Sequence, residues 1–269
     1  MDTQLPQPAH LDLESAMDAA WPALERHDSG GWTLRAAAGV TQRANSIWPR
    51  STAGLSEEEL AAQLRQARSW YRSRRLPVIF QLFANPAMAG LHNLLDSEGF
   101  TRQSETLVMT GEAVDDPVPA ATQDFPAVEL APEPSEEWLG VWWQVDGRGG
   151  EDARAVAEKI LRGCPSLYAL VRDSDGRAAA VGRLALPVGS NSGGLYCMAT
   201  LPRARRQGFA AAILRTLLQA GNKRDVAGFW LLVTAANQGA QALYAKAGFS
   251  EAGRYLYRQQ RPRRALTGC

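Results

Sequence analysis

The chain has 269 residues, of which 45% are hydrophobic and 21% charged, a composition typical of a folded protein with one large or two ordinary domains. Its 29 basic and 28 acidic residues leave a formal charge of +1, so the charge balance does not indicate nucleic acid as a partner. No apolar run approaches the ~20 residues that span a bilayer, and the N-terminus lacks the features of a secretory signal. We therefore expect a cytoplasmic protein without a membrane partner, either monomer or homodimer.

Cysteine and histidine are scarce and badly placed for metal binding. Cys164, Cys197 and Cys269 are too few and too scattered for a disulfide framework or a zinc site, so no metal is expected. The three histidines all lie within the first 92 residues. Chemistry in the second half of the chain therefore has to proceed without the commonest general base.

The first half of the chain alternates helical and strand patterns. In order, it predicts a helix over 11–27, two short strands within 31–49, a helix over 55–74, a strand over 76–83, a helix ending at Gly99 and a strand over 104–111. The helix over 55–74 is the clearest, because Ser56 and Glu59 form a capping box before an apolar stripe that includes Leu60 and Leu64.

The best domain boundary follows. Residues 112–137 contain five of the 15 prolines and eight acids with no Lys or Arg, and such a stretch favours extended chain over a packed core. We place a first domain at 10–112, a linker at 113–125 and a second domain at 126–262.

The second half predicts a fuller set of elements. In order, these are helices over 135–145 and 151–163, strands over 166–172 and 177–186 joined by an Asp-Gly turn, a strand over 193–200, a helix from about Gly208, a strand over 228–235, a helix over 240–247 and a strand from Phe249. Residues 76–109 and 228–258 share one order, namely strand, Asn-containing turn, helix, Gly-Phe and strand. This similarity favours a duplicated fold; two unrelated α/β halves are the alternative.

The segment from Arg203 to Ala212 links a basic turn to an apolar helix through Gly208. The first turn of a helix leaves about four backbone N–H groups unpaired, and these bind anions readily. Glycine at that point gives phosphate oxygens access to the backbone, and the neighbouring arginines favour a pyrophosphate. The alternative is an exposed basic loop before an ordinary amphipathic helix.

The turn and the later Gly-Phe segment together resemble the GNAT (GCN5-related N-acetyltransferase) superfamily. Arg205, Gly208 and Ala210 fit its motif A, [QR]-x-x-G-x-[GA]. The stretch from Asn237 to Phe249 is similar to its motif B, N-x-x-A-x-x-L-Y-x-x-x-G-F, with Tyr244 at the tyrosine position. The resemblance covers 126–262 well and 10–112 weakly.

This resemblance implies a fold and an activity. It implies an α/β fold (α+β by some schemes) of two GNAT-like domains, each a mixed, mostly antiparallel sheet flanked by helices, with only the C-terminal one complete. It implies direct, metal-free transfer of acetyl from acetyl-CoA to an amine on a small molecule or peptide, with Tyr244 as the acid to the thiolate. The implied cofactor-binding residues are Met198, Ala199, Thr200, Arg205, Arg206, Gln207, Gly208, Phe209, Ala210, Ala211 and Asn237.

Several alternatives stay open. Cys197 is a conceivable nucleophile, but no histidine lies nearby to activate it, and buried cysteine usually serves packing. Asp146, Glu151 and Asp152 are candidates to attract an amine, or simply a solvated acidic loop, and Trp143 is a candidate lining for an acceptor cleft.

The first domain places Leu95 where the second has Tyr244 and lacks motif A, so no second active site is expected there. The first domain either completes the acceptor pocket, with residues 43–46 as candidate contributors, or serves as structural support. A non-catalytic acyl-CoA sensor is the alternative function for the whole protein.

Overall fold

The computed structural model describes residues 7–112 and 126–260, which fall into two compact units. The larger unit takes the described residues within Met1–Pro22 and Val108–Ala252, and the smaller takes those within Ala23–Leu107 and Gly253–Cys269. This partition differs from the linear division at 10–112 and 126–262, because the N-terminal helix belongs to the larger unit and the end of the final strand to the smaller. The proposed linker, 113–125, lies outside the described residues.

The smaller unit is a mixed, mostly antiparallel sheet with two helices. Its elements are β1 (Glu25–Ser29), β2 (Trp32–Ala36), β3 (Ile47–Pro49), α2 (Glu57–Ser73), β4 (Ile79–Phe83), α3 (Ala89–Ser97), the first part of β5 (Phe100–Glu112) and the last part of β11 (Ser250–Gln260). The strands lie in the order β1, β2, β3, β4, β11, β5. β3 and β4 are parallel, with Ile47 opposite Phe80, and α2 connects them.

The apolar face of α2 builds the core of this unit. Leu60, Leu64, Ala67 and Tyr71 are all buried, as the periodicity predicted, and they pack with Phe80 of β4. The capping box is confirmed, because Ser56 Oγ accepts from the Glu59 N–H and Glu59 Oε2 accepts from the Ser56 N–H. The second of these bonds lowers the pKa of Glu59.

The larger unit has a longer sheet and more helices. Its elements are α1 (Gln7–Ala20), the end of β5, β6 (Val128–Ala131), α4 (Glu136–Asp146), α5 (Glu151–Arg162), β7 (Ser166–Arg172), β8 (Ala178–Ala185), β9 (Ser192–Thr200), α6 (Phe209–Asn222), β10 (Gly228–Thr234), α7 (Gln238–Lys246) and the start of β11. The strand order is β5, β10, β9, β8, β7, β6. β9 and β10 are parallel, whereas β6 to β9 are antiparallel neighbours.

Helices cover both faces of this sheet, as two adjacent residues of β8 show. A Cβ on Gly182 would lie 2.5 Å from Ile213 of α6, so this face packs closely on α6. Successive strand residues point to opposite faces, and the next residue, the fully buried Arg183, donates to Ala20 O at the end of α1 and Leu161 O near the end of α5. A buried cation at two helix C-termini complements their dipoles and ties α1 into the larger unit.

Two predicted elements need correction. The predicted helix over 11–27 ends at Ala20, because Pro22 has no backbone N–H to donate and disfavours helical geometry at Trp21, and residues 25–29 form strand β1 instead. Strand β6 was not predicted, because it lacks the alternation of apolar and polar residues that marks a half-buried strand. Most of its side chains are exposed, Leu130 among them, and prolines flank it, as in an edge strand. No helix within 7–112 or 126–260 is long and apolar enough to cross a membrane.

Candidate active site

The N-terminus of α6 is open and preceded by a basic turn. Gly208 is its N-cap in the left-handed conformation (φ +80°, ψ −2°), and no side chain caps the helix there. Among the described residues, a Cβ at Gly208 would meet no heavy atom within 4 Å, so the space beside this residue is open. The first helical bond runs from the Ala212 N–H to Gly208 O, leaving the N–H groups of Phe209, Ala210 and Ala211 without helical partners.

The turn before Gly208 is exposed and held by backbone contacts. Arg205, Arg206 and Gln207 are all exposed, and Arg206 is also left-handed (φ +66°). Arg205 Nε lies 3.5 Å from Thr200 O, which brings the turn against the end of β9. The arrangement has the requirements of an anion site, namely unpaired amides, a positive helix end and unburied guanidinium groups.

The parallel pair β9 and β10 separates toward this turn. Its paired residues run from Ser192–Gly228 to Leu195–Leu231, although β9 continues to Thr200 and β10 to Thr234. The edges of Met198, Ala199 and Thr200 that face β10 are therefore outside the ladder. The far ends of both strands lie at one edge of the sheet, where α6 and α7 begin, so the predicted residues from 198 to 211 and Asn237 come to the same edge.

A bulge in β9 turns the strand at that point. Tyr196 pairs with Arg183 and Ala199 with Val181, so Cys197 and Met198 together stand opposite Gly182. Cys197 takes φ +54°, which fits a bulge residue. Gly182 O accepts from Trp138 Nε1 at 3.2 Å, an indole that also donates to Ala169 O.

Sequence reasoning missed the contribution of Gly182 and of the Trp138 indole to this site. A glycine inside an apolar strand was the available signal, because such glycines mark bulges and close backbone approach. Trp138 and Trp142 are buried, as predicted for a core face, and Trp143 is half-buried.

Several residues of motif B cap the two ends of helix α7. Asn237 Oδ1 accepts from the Ala240 N–H at 3.1 Å and so caps the helix start. At the other end Gly248 is left-handed (φ +88°), its N–H donates to Ala245 O, and the Phe249 N–H donates to Tyr244 O. This is a Schellman motif, whose usual apolar contact appears as the 6.3 Å approach of the Tyr244 and Phe249 rings. A role for Asn237 toward a cofactor would fall to its Nδ2.

Tyr244 is buried near the C-terminal end of α7. Burial raises the pKa of Tyr244 to about 12, with a further contribution from the negative charge of Asp146. Asp146 ends α4 and is exposed as a residue, yet protein around its carboxylate desolvates it and raises its pKa, against the opposing effect of Arg148. Asp146, one of the three candidate acidic residues, therefore acts electrostatically on Tyr244, the predicted acid.

The other two acidic candidates begin α5. Glu151 and Asp152 are exposed in the first turn of α5, where acidic side chains complement the helix dipole. Within the described parts of the chain, no group of three or more His, Cys, Asp or Glu residues is placed to hold a metal ion.

The smaller unit repeats the topology without this chemistry. Its α2 follows a strand as α6 does, but the capping box occupies its N-terminus and Glu57, Glu58 and Glu59 place negative charge there. An anion is disfavoured at such an end. Leu95, fully buried, precedes the left-handed Gly99 by the spacing that separates Tyr244 from Gly248, and the extra residues of this repeat form a 3-10 turn over Pro86–Met88.

The polar run over 43–46 is structural within the smaller unit. Asn45 Oδ1 accepts from the Ala37 and Gly39 N–H groups, and its Nδ2 donates to Val40 O, which staples the loop after β2. Ser46 Oγ accepts from the buried Arg35. These bonds account for the buried side chains of Asn45 and Ser46.

One family model matches most of the chain, and two N-acetyltransferases are similar to it in sequence. A family model described as probable histone acetyltransferase Rv0428c C-terminal matches residues 11–258. The uncharacterized N-acetyltransferase YobR of Bacillus subtilis (strain 168) is 28% identical over 252 residues, 93% of this chain and 98% of that protein. The ribosomal protein bS18-alanine N-acetyltransferase of Escherichia coli (strain K12) is 45% identical over 58 residues, only 22% of this chain and 39% of its own length.

Solved structures show the same fold. The GCN5-related N-acetyltransferase from Kribbella flavida superposes with a TM-score of 0.69 at 17% identity, covering 97% of each chain. A tandem GNAT protein from the clavulanic acid biosynthesis pathway gives 0.65 at 14% identity, covering 96% of this chain and 90% of that one. The predicted fold is confirmed.

Proposed function

Since the chain belongs to the family of the probable histone acetyltransferase Rv0428c C-terminal region, and is thereby an N-acetyltransferase of the GCN5-related superfamily, we propose that its larger unit transfers acetyl from acetyl-CoA directly to a primary amine. The observation that carries the proposal is the separation of β9 from β10 beside the open end of α6. The slot has backbone groups that make no ladder bonds, and it ends at an anion site. These two features suit an elongated thioester that carries a pyrophosphate.

The cofactor-binding roles follow from position. The amides from Arg206 to Ala211 would hold the pyrophosphate, with Arg205 supplying charge beside them. Backbone groups of Met198, Ala199 and Thr200 would bond the amide-bearing arm, because their edges toward β10 are outside the ladder. The bulge at Cys197, supported by Trp138, fixes the direction of this edge.

The reaction requires one bond to form and one to break. The neutral amine nitrogen attacks the thioester carbonyl carbon, the carbon–sulfur bond breaks, the nitrogen loses a proton to solvent, and the sulfur gains one. We assign Tyr244 as the donor to the sulfur, because its raised pKa keeps the hydroxyl protonated throughout the physiological range. A thiol has a pKa near 8.5, so full transfer from a group at about 12 would cost about 5 kcal/mol. Tyr244 therefore acts by donating a hydrogen bond to the developing thiolate, and solvent completes the protonation.

Asp146 gives the acceptor side of the site a negative charge. Its carboxylate is close enough to raise the pKa of Tyr244, so an amine approaching the thioester as an ammonium would be attracted there before it loses its proton. Amines with a further positive charge are the class that this residue favours. The half-buried Trp143, one helical turn before it, is a neighbouring apolar surface.

The proposal is tested by acetyl transfer itself. The purified protein is incubated with acetyl-CoA and a panel of small amines, amino acids, aminoglycosides, and peptides with free N-termini or lysines, and free thiol and acetylated product are both measured. We expect at least one acceptor to give equal amounts of the two.

An acyl-CoA sensor would be favoured if the protein binds CoA but acetylates no amine of the panel, and if Tyr244→Phe binds CoA as the parent protein does. Absence of CoA binding would refute the proposed site altogether.

A further inference from the structure

The smaller unit contains a cleft that the proposed reaction does not use. It lies between β1–β2 and α2 and encloses about 420 Å³, which is within the ~300–1,000 Å³ typical of small-molecule pockets. Its lining includes His27, Ser29, Trp32, Gln63, Gln66 and Trp70.

Aromatic faces form much of its lining. The rings of His27 on β1 and Trp70 on α2 lie within 17° of parallel, with centroids 6.5 Å apart. That separation is at the long end of the range for stacked rings, so the pair is not in close face-to-face contact. Arg74, outside the lining, lies 3.8 Å above the Trp70 ring and fixes its orientation. A planar ring can therefore stack on the Trp70 face that Arg74 leaves uncovered, beside the nearly parallel His27 ring.

Two polar atoms of the lining residues lack partners in the part of the chain that the structure describes. Trp32 is 1% exposed, and within 7–112 and 126–260 neither its Nε1–H nor Gln63 Oε1 has a hydrogen-bond partner. Buried unpaired groups are costly and uncommon, and here one is a donor and the other an acceptor. Both residues line the cleft, and Gln63 is held through its Nε2 by a bond to Gly30 O, so its amide can turn to present Oε1 to a ligand N–H.

The lining favours an uncharged ligand. Apart from His27, its residues carry no ionisable group, and the polar ones are amides and hydroxyls. Among them, Ser29 Oγ donates to Gln66 Oε1 at 3.5 Å. Nearby charges are paired with each other, Arg74 with Glu25 and Arg26 with Asp28. A ligand with a net charge would find no free counter-ion among these groups.

We propose that this cleft is a second ligand site, which takes a neutral planar heteroaromatic molecule bearing a carbonyl acceptor next to an N–H donor. The ring stacks on Trp70 and His27, the carbonyl accepts from Trp32 Nε1, and the N–H donates to Gln63 Oε1. This site lies wholly within the unit that lacks the acetyl-CoA motifs, so it gives that unit a binding role independent of the transfer reaction.

The test uses nicotinamide, uracil and hypoxanthine at about 1 mM with the whole 269-residue chain, by ligand-observed saturation-transfer NMR and titration. Nicotinate controls for charge, and cyclohexanecarboxamide, which keeps the amide on a non-planar ring, controls for stacking. Trp70→Ala removes the stacking face of a half-buried residue, and Gln66→Trp fills the cleft from an exposed helix position. Trp143→Ala, which removes a half-buried tryptophan from the larger unit, is the matched control.

We expect at least one neutral planar compound to bind, more tightly than both control compounds. Loss of a stacking partner is expected to weaken binding roughly 5- to 150-fold in Trp70→Ala. Gln66→Trp should abolish binding, and Trp143→Ala should leave it unchanged. The proposal is overturned if none of the three compounds binds, if a control compound binds equally well, or if binding survives both cleft variants.

Discussion

Replacing Gly208 by Asn and by Asp separates the backbone requirement at this position from the anion site. Gly208 is left-handed and its Cβ position is open, so neither side chain meets a clash. Asn and Asp are the non-glycine residues that tolerate this conformation best. Both variants should therefore fold, with similar losses of about 1 kcal/mol in unfolding free energy, or about 2–4 °C in Tm.

The two variants differ by one negative charge at the mouth of the predicted pyrophosphate site. At a separation of about 5 Å, repulsion between that charge and one phosphate charge is about 0.8 kcal/mol in bulk water and about 3 kcal/mol at the effective dielectric of a protein surface. Gly208→Asp should then bind CoA about 4- to 150-fold more weakly than Gly208→Asn.

Isothermal titration calorimetry of CoA with both variants, at low and at high salt, measures this ratio. The gap should narrow at high salt, because exposed charges are screened. Equal affinities for the Asn and Asp variants at low salt would refute the pyrophosphate site at α6, whatever their common difference from the parent protein.

Three other changes have separate outcomes. Tyr244→Phe should lower kcat about 10- to 150-fold without changing the Kd for CoA, because it removes one hydrogen bond to a charged group. With the pKa of Tyr244 raised to about 12, deprotonation of this hydroxyl should not limit kcat below pH 10, and an alkaline fall that disappears in Tyr244→Phe would contradict the assignment. Asp146→Asn should raise KM for cationic acceptors more than for acetyl-CoA, and equal effects on both would exclude an acceptor role. Arg183→Met should cost about 2–4 kcal/mol in denaturant unfolding, because carbonyls at the ends of α1 and α5 lose their donor, and a loss under 0.5 kcal/mol would contradict that role.

Features fixed by local chemistry could be predicted from the sequence. The capping box at Ser56, the Asp-Gly hairpin ending at Gly176, and the positions of α6 and α7 all depend on residues a few positions apart. Motif B was readable for the same reason, since Asn237 begins α7 and Gly248 ends it. The Tyr244 ring packs against Phe249 in this cap, so its hydroxyl is the group that helix capping does not explain.

Features that depend on distant residues could not be predicted in this way. The last strand, β11, pairs with β4 in the smaller unit, where the buried Arg258 donates to Asp96 and to Phe100 O. No periodicity in either segment indicates that pairing. The separation of β9 from β10 likewise depends on the bulge at Cys197 and on its support by Trp138, contributed by a helix far earlier in the chain.

Hydrogen–deuterium exchange with and without acetyl-CoA shows whether the cofactor binds between the end of β9 and the start of α6. The amides at the start of α6 have no helical partners and those of Met198 to Thr200 that face β10 are outside the ladder, so they should exchange rapidly in the free protein. We predict that acetyl-CoA protects peptides spanning 198–211 more strongly than any peptide of the smaller unit. Protection confined to other segments, or no protection at saturating acetyl-CoA, would contradict the account.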